Sequence, residues 1–242
     1  MNSQRVVAID FLADSAARYR DDHAIVAIDV IRATTTAVTA LSLGFRCFPV
    51  PSLERAVPLA GRLEVPLLVG ELGGNTPYGF DLTNSPAQVT QVTELRRPMI
   101  LLSSSGTGLI YESRTAEAAY VACLRNYRAV ARHVAARHTR VAVLGAGTRG
   151  EFREEDQLCC AWIAELLVEA GFEPANEDTT ALIERWRGQP VNRIVESRSA
   201  DYLRDSGQLA DLDFILAHVD DLDEVHRMDG EELVSARRDD GL

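Results

Sequence analysis

Residues 24–41 read AIVAIDVIRATTTAVTAL, an apolar run that stops at Asp29 and gives way to a small-residue stretch of helical spacing closed by Gly44. The run is apolar at both alternating positions, as a strand must be when helices cover both faces of its sheet. RVAVLG at 140–145 has the same two-sided character. Working outward, short apolar runs predict strands near 24–30, 46–50, 66–71, 98–103, 140–145 and 213–218. Helical patterns fall at 34–43, 53–63, 107–112, 125–137, 153–170 (closed by Gly171), 178–187 and 199–205. The alternation predicts an α/β fold, a three-layer α/β/α sandwich around a largely parallel or mixed sheet. The 242 residues are expected to form a single domain, with the site-bearing part at about 24–162 and a less typical, more charged part at about 175–242.

Composition narrows the chemistry. A formal net charge of -11 argues against nucleic acid as a partner, because such binding needs phosphate neutralisation over a broad surface. No apolar run approaches the roughly 18 residues of a membrane span and no leader pattern precedes the fold, so a cytoplasmic protein is expected. All 25 basic side chains are arginine. The absence of lysine removes a Walker A lysine, a Schiff-base lysine and a lysine general base together. An anion must then be held by arginine forks and backbone N–H groups. Cys47, Cys123, Cys159 and Cys160 have neither metal spacing nor the arginine six positions on that a phosphate-cradling cysteine loop requires, and they read as small hydrophobes.

In folds of this kind ligands sit beyond the carboxyl ends of strands. At the first such junction, Asp29 and Arg32 stand at the strand end and Thr34, Thr35 and Thr36 over a helix start, where free N–H groups favour an anion. The second, GELGGNTPYGFDLTNSP at 70–86, carries Glu71, Asp81, Asn84 and Ser85 among four glycines, which suits hard oxygen donation to Mg²⁺. The third holds Ser103, Ser104, Ser105, Gly106 and Thr107, a nest of amide donors for phosphate; no nearby histidine is available to activate a serine, so binding is favoured over attack. The fourth, Gly145–Gly150, is a literal GxGxxG followed by EFREEDQ. The crowded Glu151, Glu154, Glu155 and Asp156 suit a metal, or a bare helix N-terminus, better than a pyrophosphate. Arg125 and Asn126 could reach an anion from another helix start. His218 is a candidate late contributor, whereas His23, His133, His138 and His226 read as surface residues.

Taken in order, DVIRATTT, GELGGNTPYGFDLTNSP, LLSSSGT, CLRN and AGTRGEFREEDQLCCAW resemble the 2-phosphosulfolactate phosphatase (ComB-like) family across about residues 29–162. SSSGT stands where that family is expected to have a TTNGT-like loop, so the same backbone nest carries different side chains. The resemblance implies an α/β/α sandwich, a homodimer, and a magnesium-dependent phosphatase that converts 2-phospho-3-sulfolactate, or a similar small phosphorylated anion, to the alcohol and inorganic phosphate in a coenzyme M pathway. On this reading Asp29, Glu71, Glu155 and Asp156, with Asp81, are the Mg²⁺ candidates. Arg32, Thr34–Thr36, Asn84, Ser85, Ser103–Thr107, Arg125, Asn126, Arg149 and Gly150 face the substrate, Arg149 taking its sulfonate or carboxylate end. The rival readings are a nicotinamide-dependent oxidoreductase using residues 145–150 and a non-catalytic anion-binding protein of the same fold.

Overall fold

The computed structural model of the protein describes residues 4–11, 14–147 and 150–236. The opening stretch forms strand β2 (Ala24–Ile28), buried at every position. It is flanked in parallel by β6 (Ala119–Ala122) and β7 (Arg140–Gly145), and β1 (Val6–Asp10) and β8 (Glu173–Pro174) continue this block beyond β7. A second parallel block consists of β3 (Cys47–Val50), β5 (Met99–Leu102) and β4 (Leu67–Gly70). Between the blocks lies an antiparallel hairpin, β9 (His226–Asp229) and β10 (Glu232–Ser235), giving one mixed sheet of order β4-β5-β3-β10-β9-β6-β2-β7-β1-β8.

The hairpin joins β6 and β3 with antiparallel pairings on both of its sides, so the two blocks run in opposite senses. Five inter-strand steps separate β2 from β5, and at about 20–25° each their twist accumulates to about 100–125°, so the blocks cross rather than oppose. That crossing lets the carboxyl ends of β2 and β5 meet.

Helices cover both faces. Val26 and Ile28 of β2 and Val141 and Val143 of β7 pack in one cluster with α6 (Tyr127–Arg137), α7 (Glu154–Glu169) and α8 (Glu177–Trp186). The alternate residues Ile25, Ala27, Ala142 and Leu144 face α1 (Ser15–Tyr19), α2 (Ala33–Ser42) and α5 (Gly106–Ser113). The fold is therefore an α/β sandwich on a mixed sheet. Helix α3 (Leu53–Ala60) packs on the second block, and the short α4 (Pro86–Val89) packs against α2.

Two sequence expectations are corrected. Residues 213–218 are not a strand: 213–217 lie in helix α10 (Leu209–Ala217), with His218 its C-cap residue, and the helix packs on α9 (Arg198–Asp205). A short apolar run is ambiguous by composition, and here Asp211, Leu212 and Ile215 are buried at helical spacing. His23 and His226 are not surface residues, being 4% and 5% exposed. His226 sits in β9 at the sheet's centre, a strand not anticipated from the polar residues around it.

Candidate active site

The first junction is built by local hydrogen bonding. The Thr34 hydroxyl donates to the Asp29 carbonyl and accepts from the Asp29 N–H, while the Thr35 hydroxyl donates to the Val30 carbonyl. These threonines therefore serve the turn through their side chains, and what faces a ligand is the start of α2, whose Ala33 N–H favours the ionised Asp29 carboxylate. Thr36 Oγ1 is buried without a hydrogen-bond partner among the described residues. The Ile31–Arg32 peptide is cis, with Arg32 as the N-cap residue of α2.

Gly106, at the start of α5, lies directly against this turn. A Cβ there would sit 2.0 Å from Asp29 Oδ2 and 2.7 Å from the Ala33 Cβ, so only glycine lets the two helix starts meet. Ser103 and Thr107 cap α5 reciprocally: the Thr107 N–H donates to Ser103 Oγ at 2.9 Å and the Ser103 N–H to Thr107 Oγ1 at 2.8 Å. The N–H groups of Ser105 and Gly106 have no partner among the described residues. Asp156, in the first turn of α7, accepts from the Val30 N–H at 2.7 Å. Three helix N-termini thus converge beside Asp29, a concentration of amide donors and dipole ends that favours an anion.

The same place is crowded with acids. Asp29, Glu155 and Asp156 are 8%, 1% and 3% exposed. Burial pushes the Asp29 carboxyl up to about 7, reinforced by Glu71 and Glu155, and opposed by the Ala33 N–H and Arg32. Asp156 is pushed well above the usual carboxylate range by burial and then by Asp29 and Glu155. Burial likewise raises Glu155, although Ser199 and Ser197 lie close enough to favour its charged form; its Oε2 has no hydrogen-bond partner among the described residues. Glu71 spans the second and third junctions, with Oε1 accepting from the Ser104 N–H and Oε2 from the Gly74 N–H and the Ser104 hydroxyl. Buried carboxylates that repel one another, one of them with an orphaned oxygen, are a donor set for a cation. No three acidic, histidine or cysteine side chains of the described residues close on a common point. The residues present fit a hydrated Mg²⁺, which keeps several waters and takes one or two carboxylates, better than an all-protein cage.

The other expected site residues have the following surroundings. Asp81 is exposed, accepting from the Leu68 N–H and from Arg97 along the β4 edge. Arg125 grips Asp221 with two nitrogens and the Thr39 hydroxyl with a third, one helical turn along α2 from Thr35. Asn126, fully buried, accepts from the Cys123 N–H and donates to the Glu224 carbonyl. CLRN thus ties β6 to the chain leading into β9. Asn84 is 2% exposed with an orphaned Oδ1, and the Ser85 hydroxyl donates to Asp211. Ser105 is the N-cap residue of α5. His218 is stacked on Phe214 and bonded to its carbonyl. Burial pushes the Cys123 thiol up to about 11 and raises the other three.

Thr148 and Arg149 lie outside the described residues, and Gly150 is exposed at φ +77°. A Cβ on Gly145 would meet the Phe152 ring at 2.3 Å, and one on Gly147 would meet the Phe11 carbonyl at 2.8 Å. Phe11 and Phe152 stack at 4.6 Å, so these two glycines serve packing rather than the approach of a pyrophosphate.

The C-terminal part, expected to stand apart from the chemistry, reaches into this site. Arg32 pairs with Asp211 and donates to Gln208 Oε1, both from the segment opening α10. The Tyr202 hydroxyl of α9 donates to the Gly74 carbonyl at 2.9 Å. Asp211 carried a sequence signal that went unused: an acid at helical spacing with buried Leu212 and Ile215 needs a partner.

A profile of the 2-phosphosulpholactate phosphatase family matches residues 11–230. A "Probable 2-phosphosulfolactate phosphatase" of Deinococcus radiodurans is 36% identical over 85% of this chain and 86% of its own length. Another so named, from Carboxydothermus hydrogenoformans, is 30% identical over 90% and 92%, and one from Synechococcus sp. (strain CC9605) is 36% identical over 69% and 72%. The α/β sandwich is thus that of a phosphatase family. The chain belongs to the 2-phosphosulpholactate phosphatase family.

Proposed function

We propose that this protein is a Mg²⁺-dependent phosphatase that hydrolyses 2-phospho-3-sulfolactate, or a closely similar small phosphorylated hydroxy acid, to the alcohol and inorganic phosphate. The observation that carries the reading is the coincidence, at the end of β2, of three helix N-termini with the buried acids Asp29, Glu155 and Asp156. Amide donors call for an anion and repelling carboxylates for a cation, and a metal-bound phosphate ester supplies both. Asp29, Glu71, Glu155 and Asp156 would hold the ion, directly or through water. Mg²⁺ there would neutralise phosphoryl oxygens and orient a water. The start of α2 and the amides of Ser105 and Gly106 bind phosphate oxygens, and Arg32 adds its guanidinium. The same reading takes the protein to be a cytoplasmic homodimer in a coenzyme M pathway. No helix among the described residues is long and apolar enough to cross a membrane.

Phosphate release from 2-phosphosulfolactate by the purified protein, with and without chelator, tests this reading. Turnover should vanish with chelator and return with Mg²⁺. Equal rates in both conditions would refute the metal, and phosphate binding without turnover would leave an anion-binding protein.

A further inference from the structure

We propose that Asp211, helped by Gln208, is the positioning residue for Arg32: the start of α10 ties down one nitrogen of the guanidinium and presents the opposite edge to phosphate. Arg32 is 4% exposed and Asp211 2%. Among the described residues only Nη1 is used, donating to Asp211 Oδ2 and Gln208 Oε1. Nε and Nη2 find no partner among the described residues. Guanidinium carries five N–H donors in a planar fork, and the three on Nε and Nη2 are left to a ligand. The Nε–Nη2 edge has the paired geometry that an oxyanion accepts bidentately, and Arg32 is near enough to Asp29 to favour its charge.

Asp211 does more than neutralise Arg32. Its other oxygen, Oδ1, accepts from the Ser85 hydroxyl and from the Ala87 N–H at 3.2 Å. One carboxylate therefore fixes the arginine of the first junction and the NSP turn of the second in a single frame. A charge-free acceptor would keep the frame but lose the grip on the guanidinium, leaving its rotamers free to turn the fork away.

The inference rests on Arg32 being a phosphate ligand, and the test separates the two. Calorimetric titration of inorganic phosphate into the full-length protein with Mg²⁺ reads affinity without turnover. Asp211→Asn should weaken phosphate about tenfold or more and Gln208→Leu about threefold. The double variant Arg32→Ala/Asp211→Asn should bind no more weakly than Arg32→Ala alone, because the two residues act as one unit. Wild-type affinity in Asp211→Asn beside a clear loss in Arg32→Ala overturns the positioning role and leaves Arg32 as a ligand. So does a double variant whose loss is the product of the single losses. No loss in Arg32→Ala overturns the ligand reading itself. Should Asp211→Asn fail to fold, the half-buried Gln208 carries the test, and unchanged affinity in Gln208→Leu overturns the proposal.

Discussion

The stretch from β2 to the first turns of α7 and the stretch from α9 to β10 contribute opposite things to one site. The first supplies carboxylates and helix starts at strand ends; the second supplies Asp211, Gln208 and Tyr202, which hold those loops, and a hairpin that holds the sheet. The difference teaches that a motif-rich region can be chemically complete and still be mechanically dependent on a region with no motif.

Substitutions can break that division of labour, beginning with the largest effect. Asp29→Asn should cut turnover hundreds-fold or more, at ~1.4 kcal/mol per decade, while the melting temperature holds or rises, because the substitution removes a buried charge repelled by Glu71 and Glu155. Full activity in Asp29→Asn would remove Asp29 from the chemistry and with it the contrast between the regions.

The hairpin should answer to pH instead. Burial lowers the His226 pKa to about 4, against 6.5 in the unfolded chain. The unfolded state thus takes a proton first: stability is intact above pH 6.5 and declines as pH falls to 4, by about 3 kcal/mol in total. Asp29, raised to about 7, gives a slope of the opposite sign between its ordinary value of 3.8 and 7, so the comparison must be between wild type and His226→Gln. Denaturant midpoints at pH 4, 5 and 7 should fall less toward acid in the variant than in wild type. An unchanged pH slope in His226→Gln would place the acid sensitivity elsewhere.

Gly106→Ala should cost about 1–3 kcal/mol by overpacking and should depress turnover as well, since the added methyl must displace Asp29. Stability loss with unaltered kcat would mean that the carboxylate's position is not critical. The smallest effect belongs to Asp81→Asn, which should leave turnover intact and change stability by less than about 1 kcal/mol, because its partner Arg97 is bound in an exposed pair. A large activity loss there would extend the site to the β4 edge.

Much of this was legible in the sequence, for physical reasons that differ by residue. β2, β3, β4, β5 and β7 announced themselves as short two-sided apolar runs, Asp29 and Glu71 as acids where such runs end, and Asp156 as part of the acidic first turn of the helix after β7. Asp81 and Arg125 were read from residue type as well, and a local pattern does not show which neighbour pairs with each: Arg97 in one case, Asp221 in the other. GxGxxG matches a fingerprint in its letters alone, because Gly145 and Gly147 answer to the Phe11–Phe152 stack, a contact between segments far apart in the chain. The hairpin was invisible for a related cause. HRMD and ELVS are weakly apolar, and their strand form comes from the β3 and β6 edges on either side of them.

That hairpin also sets the order in which the molecule can be completed. During synthesis from the N-terminus, β3 and β6 emerge long before residues 226–235 and must wait with bare edges for the strands that join them. Such edges invite pairing with other chains, and closing so long a loop is slow. A nascent chain stalled before residue 226 should accordingly remain open to protease along both edges and acquire resistance only once the hairpin has left the ribosome. Production of this protein is thus a race between translation of its last strands and capture of its unfinished edges.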